Sequence, residues 1–199
     1  MSLSSPAFRL PRVLLATVGV LLGLSAFASA AEADCAYPDA EQVFAPWNDD
    51  AYYQLAPEGS LESGGTGWLL TGGAKLVEGN EDQYLNGVDD KTSLAIPFLG
   101  SATSPPFCVD ESTPAFRLMA LNTGDPNAKL RVIVSYQSGW QLKTRSTDIR
   151  ATDSWQPTEP LQLDIDGDRE RIARITFLPR DWRGGWQLDN LYIDPFARH

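Results

Sequence analysis

The chain has 199 residues, with 26 Asp and Glu against 16 Lys and Arg, a net charge of −10, two cysteines and one histidine. Such an acidic surface repels nucleic acid and anionic membranes. A single histidine excludes a zinc site built on a histidine cluster, and no Gly-x-Ser-x-Gly elbow offers a serine nucleophile.

Arg9 and Arg12 precede an apolar run, Val13 to Leu24, and Ala28-Ser29-Ala30 supplies small residues behind it. That order predicts a secretory signal peptide over residues 1–30. The run has 12 residues, fewer than the roughly 20 a membrane-spanning helix needs. Release of the mature chain outside the cell is therefore expected, with no membrane insertion after cleavage. Removing residues 1–30 takes away Arg9 and Arg12 but no acid, so 169 residues remain with a net charge of −12. They are expected to divide into a segment over 31–50 and one β-sandwich domain over 51–199.

In an exported chain, an isolated pair such as Cys35 and Cys108 is expected to form one disulfide. The closed loop of 73 residues is worth roughly 4 kcal/mol on a chain-entropy estimate. The bond would staple the 31–50 segment to the domain.

The rest reads as short strands between clusters of Gly, Pro, Asn, Asp and Ser, with no amphipathic helix. The runs are Tyr52 to Ala56, Gly67 to Leu70, Ala74 to Glu78 and Ser93 to Pro97. Ser101 to Pro106 reads as a loop. Ala115 to Asn122 sets Phe116, Leu118 and Ala120 against Arg117, Met119 and Leu121. Leu130 to Gln137 alternates most clearly, and Ser138-Gly139 turns it into Trp140 to Arg145. Leu161 to Ile165 and Arg171 to Leu178 flank Asp166-Gly167, a hairpin signal. Gly184 to Pro195 reads as a central strand, with Trp186, Leu188 and Tyr192 on one face and Leu191 and Ile193 on the other. Many short strands without helices predict an all-β, two-sheet antiparallel sandwich.

Ser60-Leu61-Glu62-Ser63-Gly64, Gly67-Trp68, Gly72-Gly73-Ala74, Ser93-Leu94 and the closing Trp186-Gln187-Leu188-Asp189-Asn190-Leu191-Tyr192-Ile193 resemble the galactose-binding-like β-sandwiches. Many extracellular carbohydrate-binding modules share that jelly-roll fold. Leu61 stands where the family carries an aromatic, and Asn190 where many members carry a second Asp. The resemblance covers residues 50 to 195. It implies a structural calcium ion where the first and last strands meet, with Glu62 and Asp189 as its acids. Two alternatives would also compensate Asp189: backbone N–H groups from a neighbouring loop, or a nearby arginine such as Arg183.

Six tryptophans could stack on sugar rings. Trp68 and Trp186 fall on strands and are expected in the core, and Trp155 in packing. Trp47, Trp140 and Trp182 sit beside turn residues and are the candidate sugar platforms, with Arg180 and Arg183 beside Trp182 to bond hydroxyls. Tyr52 and Tyr53 point opposite ways, so at most one faces solvent. Asn48-Asp49-Asp50 and Asp89-Asp90 read as solvated turns. Asp164 to Asp168 lacks the closing Glu of a calcium loop and reads as a charged turn. The expected role is non-catalytic carbohydrate binding. An extracellular adhesion or structural module with a protein partner is the alternative, and a polysaccharide-degrading enzyme is a third reading.

Overall fold

The computed structural model describes residues 39–110, 113–165 and 169–194. The expected signal peptide, Cys35 of the expected disulfide and the Asp166-Gly167 pair lie outside the described residues.

Thirteen strands form among the described residues, and the only helical turn is a 3-10 turn at Ala45–Trp47. One sheet contains β1 (Gln54–Leu55), β3 (Lys75–Glu78), β4 (Thr92–Pro97), β7 (Ala115–Asn122), β10 (Gln156–Pro157), β11 (Leu161–Gln162) and β13 (Gly185–Ile193). Its order is β10-β7-β13-β4-β3, with β1 on β13 and β11 on β7. The other contains β2 (Leu69–Thr71), β5 (Ser101–Thr103), β6 (Phe107–Val109), β8 (Leu130–Ser138), β9 (Gln141–Ile149) and β12 (Arg171–Pro179). Its order is β2-β5-β12-β8-β9, with β6 on β12. This is the expected two-sheet antiparallel sandwich. Its core joins Phe116, Leu118 and Ala120 of β7 to Val132, Val134, Ile175 and Phe177 of the facing sheet. Those alternations bury one side of each strand and leave the other for solvent or cover.

Three expectations are corrected. Ser101–Thr103 is a strand, paired to both β2 and β12. The Leu161 and Arg171 runs are not a hairpin, because β11 pairs β7 and β12 pairs β8 in the other sheet. Leu161 and Leu163 are buried in the core, so a long-range contact overrides the local turn signal. In β13, the alternation breaks at a bulge between Asp189 and Tyr192. Asn190 sits there in the left-handed region (φ 50°), which Asn tolerates better than most residues. The bulge returns Leu191 and Ile193 to the main core with Trp186 and Leu188. Tyr192 instead joins a second apolar cluster with Phe44, Tyr53 and Met119.

That second cluster covers the outer face of the seven-stranded sheet. Residues 41–59 fold over it, tied by Glu41–Tyr53 and Ala56–Leu191 backbone bonds. The crossing is tight at Gly59, where a Cβ would lie 2.4 Å from the Leu191 carbonyl oxygen. The outer face consequently carries two buried polar regions, one around Arg117 and one around Asp189.

Candidate functional site

Arg117 is the one charged residue of β7, on the face away from the core. Burying a guanidinium requires partners, and the fold supplies them. Its Nη1 donates to Asp49 Oδ2 at 2.7 Å, and its Nε donates to the Thr158 carbonyl at 2.7 Å. The guanidinium also lies over the Phe44 ring, 4.4 Å from its centre, a favourable cation–π geometry. Asp49 Oδ2 accepts a second bond from the Tyr53 hydroxyl at 2.7 Å, and Oδ1 accepts the Ala51 N–H at 3.1 Å. Burial pushes the Asp49 carboxyl up, but bonds from Tyr53, Ala51 and Arg117 and the Arg117 charge bring it below the usual carboxylate range. Burial and the bond to Asp49 hold the Tyr53 phenol well above its ordinary value.

This network is the floor of a cleft of about 1010 Å³. One wall is the 47–53 segment, with Trp47 half-buried and Tyr52 49 % exposed. The other is the edge formed by β10 and β11, with Gln156, Pro157, Glu159, Pro160 and Gln162. Prolines suit that edge, because they leave no ladder N–H unpaired. Asn48, Asp50, Gln156, Glu159 and Gln162 are all exposed along the rim. Asp49 is thus the wired centre of the site, not a residue of a solvated turn.

The second polar region lies under the 79–91 loop. Asp189 is 2 % exposed and Glu81 1 % exposed. Asp189 Oδ2 accepts the Glu81 N–H at 3.2 Å, and Oδ1 accepts the Asn190 N–H at 2.7 Å. Glu81 accepts the N–H groups of Gln83 and Leu85 at 2.5 and 2.6 Å and the Asn190 amide at 3.3 Å. One N–H of the neighbouring loop, that of Glu81, therefore bonds Asp189, as one alternative foresaw, and the strand's own Asn190 N–H supplies the other. Burial raises the Asp189 carboxyl to about 8, against those N–H bonds and helped by the negative charges of Glu81 and Asp90. Glu62 is exposed, and its Oε1 accepts the N–H groups of Lys91 and Thr92 at 2.9 and 2.7 Å. Arg183 is not the partner of Asp189, because its guanidinium stacks on Trp182, 4.4 Å from the ring centre.

The three candidate tryptophans lie in three places. Trp47 lines the cleft and packs edge-on against Phe44. Trp140 is fully exposed at the β8–β9 turn. Trp182 is 69 % exposed between β12 and β13, in a shallow hollow with Asp125, Asn127 and Asp181. Arg180 is tethered there by its N–H to the Lys129 carbonyl. The nine residues of β8 separate Trp140 from that hollow, roughly 30 Å of strand. Trp186 is in the core as expected. Trp68 is half-buried, stacked near Phe177 and bonded through Nε1 to the Glu58 carbonyl. Sequence reasoning missed Arg117, Tyr53, Gln156, Glu159, Gln162 and Glu81. A lone arginine inside the apolar run of β7 is the signal that could have located the cleft.

No protein-family model matches the chain, and no curated protein does. Solved structures do resemble it. A family 22 xylan-binding domain from Paenibacillus barcinonensis shares 15 % identity, with a TM-score of 0.47 over 71 % of this chain and 94 % of that one. A family 11 carbohydrate-binding module of a cellulosomal cellulase of Clostridium thermocellum shares 12 %, with a TM-score of 0.45 over 74 % and 96 %. The enzymatically active domain of a tailspike protein of bacteriophage CBA120 shares 15 %, with a TM-score of 0.47. In that case the match covers 69 % of this chain and 21 % of the tailspike chain.

Proposed function

We propose that this protein is a secreted, non-catalytic carbohydrate-binding domain whose glycan lies in the cleft over Arg117. The observation that carries the reading is the pairing of aromatic and polar groups there. Trp47 and Tyr52 stand on one wall, and the amides of Gln156 and Gln162 on the other. A ring face takes the apolar C–H patch of a pyranose, while amides and carboxylates take its hydroxyls. The floor is rigid because Arg117, Asp49 and Tyr53 satisfy one another. A site whose polar groups are already fixed loses less entropy on binding. The volume is at the upper end of the range for small-ligand sites, which suits several sugar units. Asp50, Glu159 and Asp194 give the cleft an acidic lining, so neutral or amino sugars are favoured over uronic or sulfated ones.

The test is a glycan array probed with the purified protein, followed by affinity electrophoresis of variants on each retained glycan. Retention of neutral or amino glycans is expected, with loss in Tyr52→Ala and Trp47→Ala and no change in Trp182→Ala. An empty array, or loss only in Trp182→Ala, would reject the cleft as the binding site. One observation favours a protein partner as a second reading. The β8–β9 hairpin presents Trp140 and Leu142 at 100 % and 71 % exposure, an apolar tip of the kind that marks protein contacts. Trp140→Ser separates the two, since it leaves glycan retention intact.

A further inference from the structure

A second, smaller pocket of about 190 Å³ lies between the 39–55 segment and the 79–91 loop. Strand pairing sets one of its walls. Leu55 stands opposite Tyr192 in the β1–β13 register, and Glu41 stands opposite Tyr53 in a bridge of two backbone bonds. Directly opposed residues share a face, as do residues two apart on one strand. Tyr53 is two before Leu55, so all four side chains lie on the outer face of the sheet. The loop supplies the other wall with Leu85 and Asn86, and the Leu85 N–H bond to Glu81 fixes it there. Tyr192 is the unspent group of this pocket. It is 5 % exposed, and its hydroxyl bonds none of the described residues. A buried phenol without a partner is costly. Burial holds it above its ordinary value, and the negative charges of Glu41, Asp90, Glu81 and Asp189 add to that. Asn86 gives its amide N–H to Asp90, which leaves its Oδ1 to accept. Asp39 and Glu41 are exposed in the lining, and among the described residues no lysine or arginine joins them. Carboxylate and amide oxygens only accept, so the pocket asks for a donor that carries positive charge.

We propose that this pocket takes a primary ammonium group on a short apolar stem, as carried by a lysine side chain or a free diamine. An ammonium brings three N–H donors and no acceptor. Tyr192 Oη, Asn86 Oδ1 and the Glu41 carboxylate are its acceptors, and a phenol oxygen can accept as well as donate. Leu55 and Leu85 cover the methylenes, as apolar surfaces do along a lysine stem. The Tyr192 ring is packed edge-on against Phe44, which fixes the direction of its hydroxyl. The volume is below the roughly 300 Å³ at which small-molecule sites begin, so a chain end fits and an oligosaccharide does not. Anions are repelled by Asp39 and Glu41. Tyr53 borders both this pocket and the cleft, but its hydroxyl is given to Asp49 of the cleft floor. The proposal therefore stands apart from the carbohydrate reading, and its test uses no glycan.

Cadaverine and Nα-acetyl-lysine amide are titrated into the purified protein by calorimetry. One saturable site is expected for at least one of them, weakening as salt rises. Acetylating Nε of the lysine probe removes its charge and two of its three donors, and a loss of at least about tenfold is expected. Tyr192→Phe removes a hydroxyl that bonds none of the described residues, so the fold is kept and binding falls about fivefold. Glu41→Gln keeps the backbone bridge to Tyr53 and is expected to cost about tenfold. Asp153→Asn, an exposed acid outside the pocket, removes the same charge and stays within about twofold. Tighter binding of the lysine probe would assign the site to a partner protein's side chain, and tighter binding of cadaverine to a free diamine. No saturable heat from either probe would overturn the proposal. So would equal binding by Tyr192→Phe and wild type, or equal losses in Glu41→Gln and Asp153→Asn.

Discussion

Asp49 and Asp189 lie over the same sheet face and meet opposite electrostatic environments. Asp49 has Arg117 at 2.7 Å and a phenol donor, and its carboxyl is held below the ordinary range. Asp189 has Glu81 as its neighbour, and its carboxyl is raised to about 8. Burial raises both: at Asp49 the bonds from Tyr53, Ala51 and Arg117 outweigh it, and at the more deeply buried Asp189 it outweighs the two N–H bonds. The first region is complete in itself and opens onto a cleft. The second is closed to solvent and unbalanced. Among the described residues, one region pairs its acid with a cation and the other sets two carboxylates side by side.

The largest effect should come from breaking the complete region. Arg117→Leu takes the cation from Asp49 in a largely enclosed pair, and a cost of about 3–5 kcal/mol is expected, read as a lower urea midpoint. Adding Asp49→Leu should recover part of that loss, and a purely additive double variant would show that the pair is not coupled. Acidity separates the two regions next. Asp49 has a depressed folded value, so its contribution is present above its unfolded value and lost as pH falls through the folded one. Asp189 is raised, so in chelator stability is fullest below its unfolded value near 4 and declines as pH rises through about 8. The steepest decline is about 1.4 kcal/mol per pH unit for one proton. Urea midpoints from pH 3 to 9 in chelator should show both limbs, and Asp189→Asn should remove the upper one. An upper limb that survives this substitution would assign it elsewhere.

Gly59→Ala sharpens the comparison without touching an acid. Its Cβ would crowd the Leu191 carbonyl at the bulge, and a loss of about 1–3 kcal/mol is expected. Arg117 and Asp49 should stay paired in this variant. The smallest effect belongs to Ser93→Ala in chelator. Removing a buried hydroxyl without a partner among the described residues should leave the midpoint unchanged or raise it by up to about 1 kcal/mol. A clear loss there would mean that Ser93 has a structural bond.

The framework was legible because β7, β8 and β12 alternate apolar and polar residues, and alternation maps directly onto faces. Ser101–Thr103 was read as a loop because Ser, Thr and the following prolines look like turn residues; its two neighbouring strands make it a strand. Asp166-Gly167 announced a hairpin, yet long-range pairing sends the flanking strands to different sheets. The bulge was half visible, since Asp-Asn interrupts an apolar strand and Asn accepts a left-handed backbone. Of the cleft, only Trp47 was foreseen. Arg117 and Asp49 are 68 residues apart, and Glu81 and Asp189 are 108 apart. Nothing local to Asn80-Glu81-Asp82 distinguishes it from a solvated acidic turn, so the partner of Asp189 emerges only when the loop closes over β13.

The most direct test of the account is the affinity of one retained glycan for three proteins, measured by calorimetry in calcium: wild type, Trp47→Ala/Tyr52→Ala, and Trp182→Ala. The account predicts tight binding by wild type and by Trp182→Ala, and at least a tenfold loss in the cleft double variant with its fold intact. Equal binding by the double variant and wild type would contradict it and place the ligand elsewhere on the sandwich.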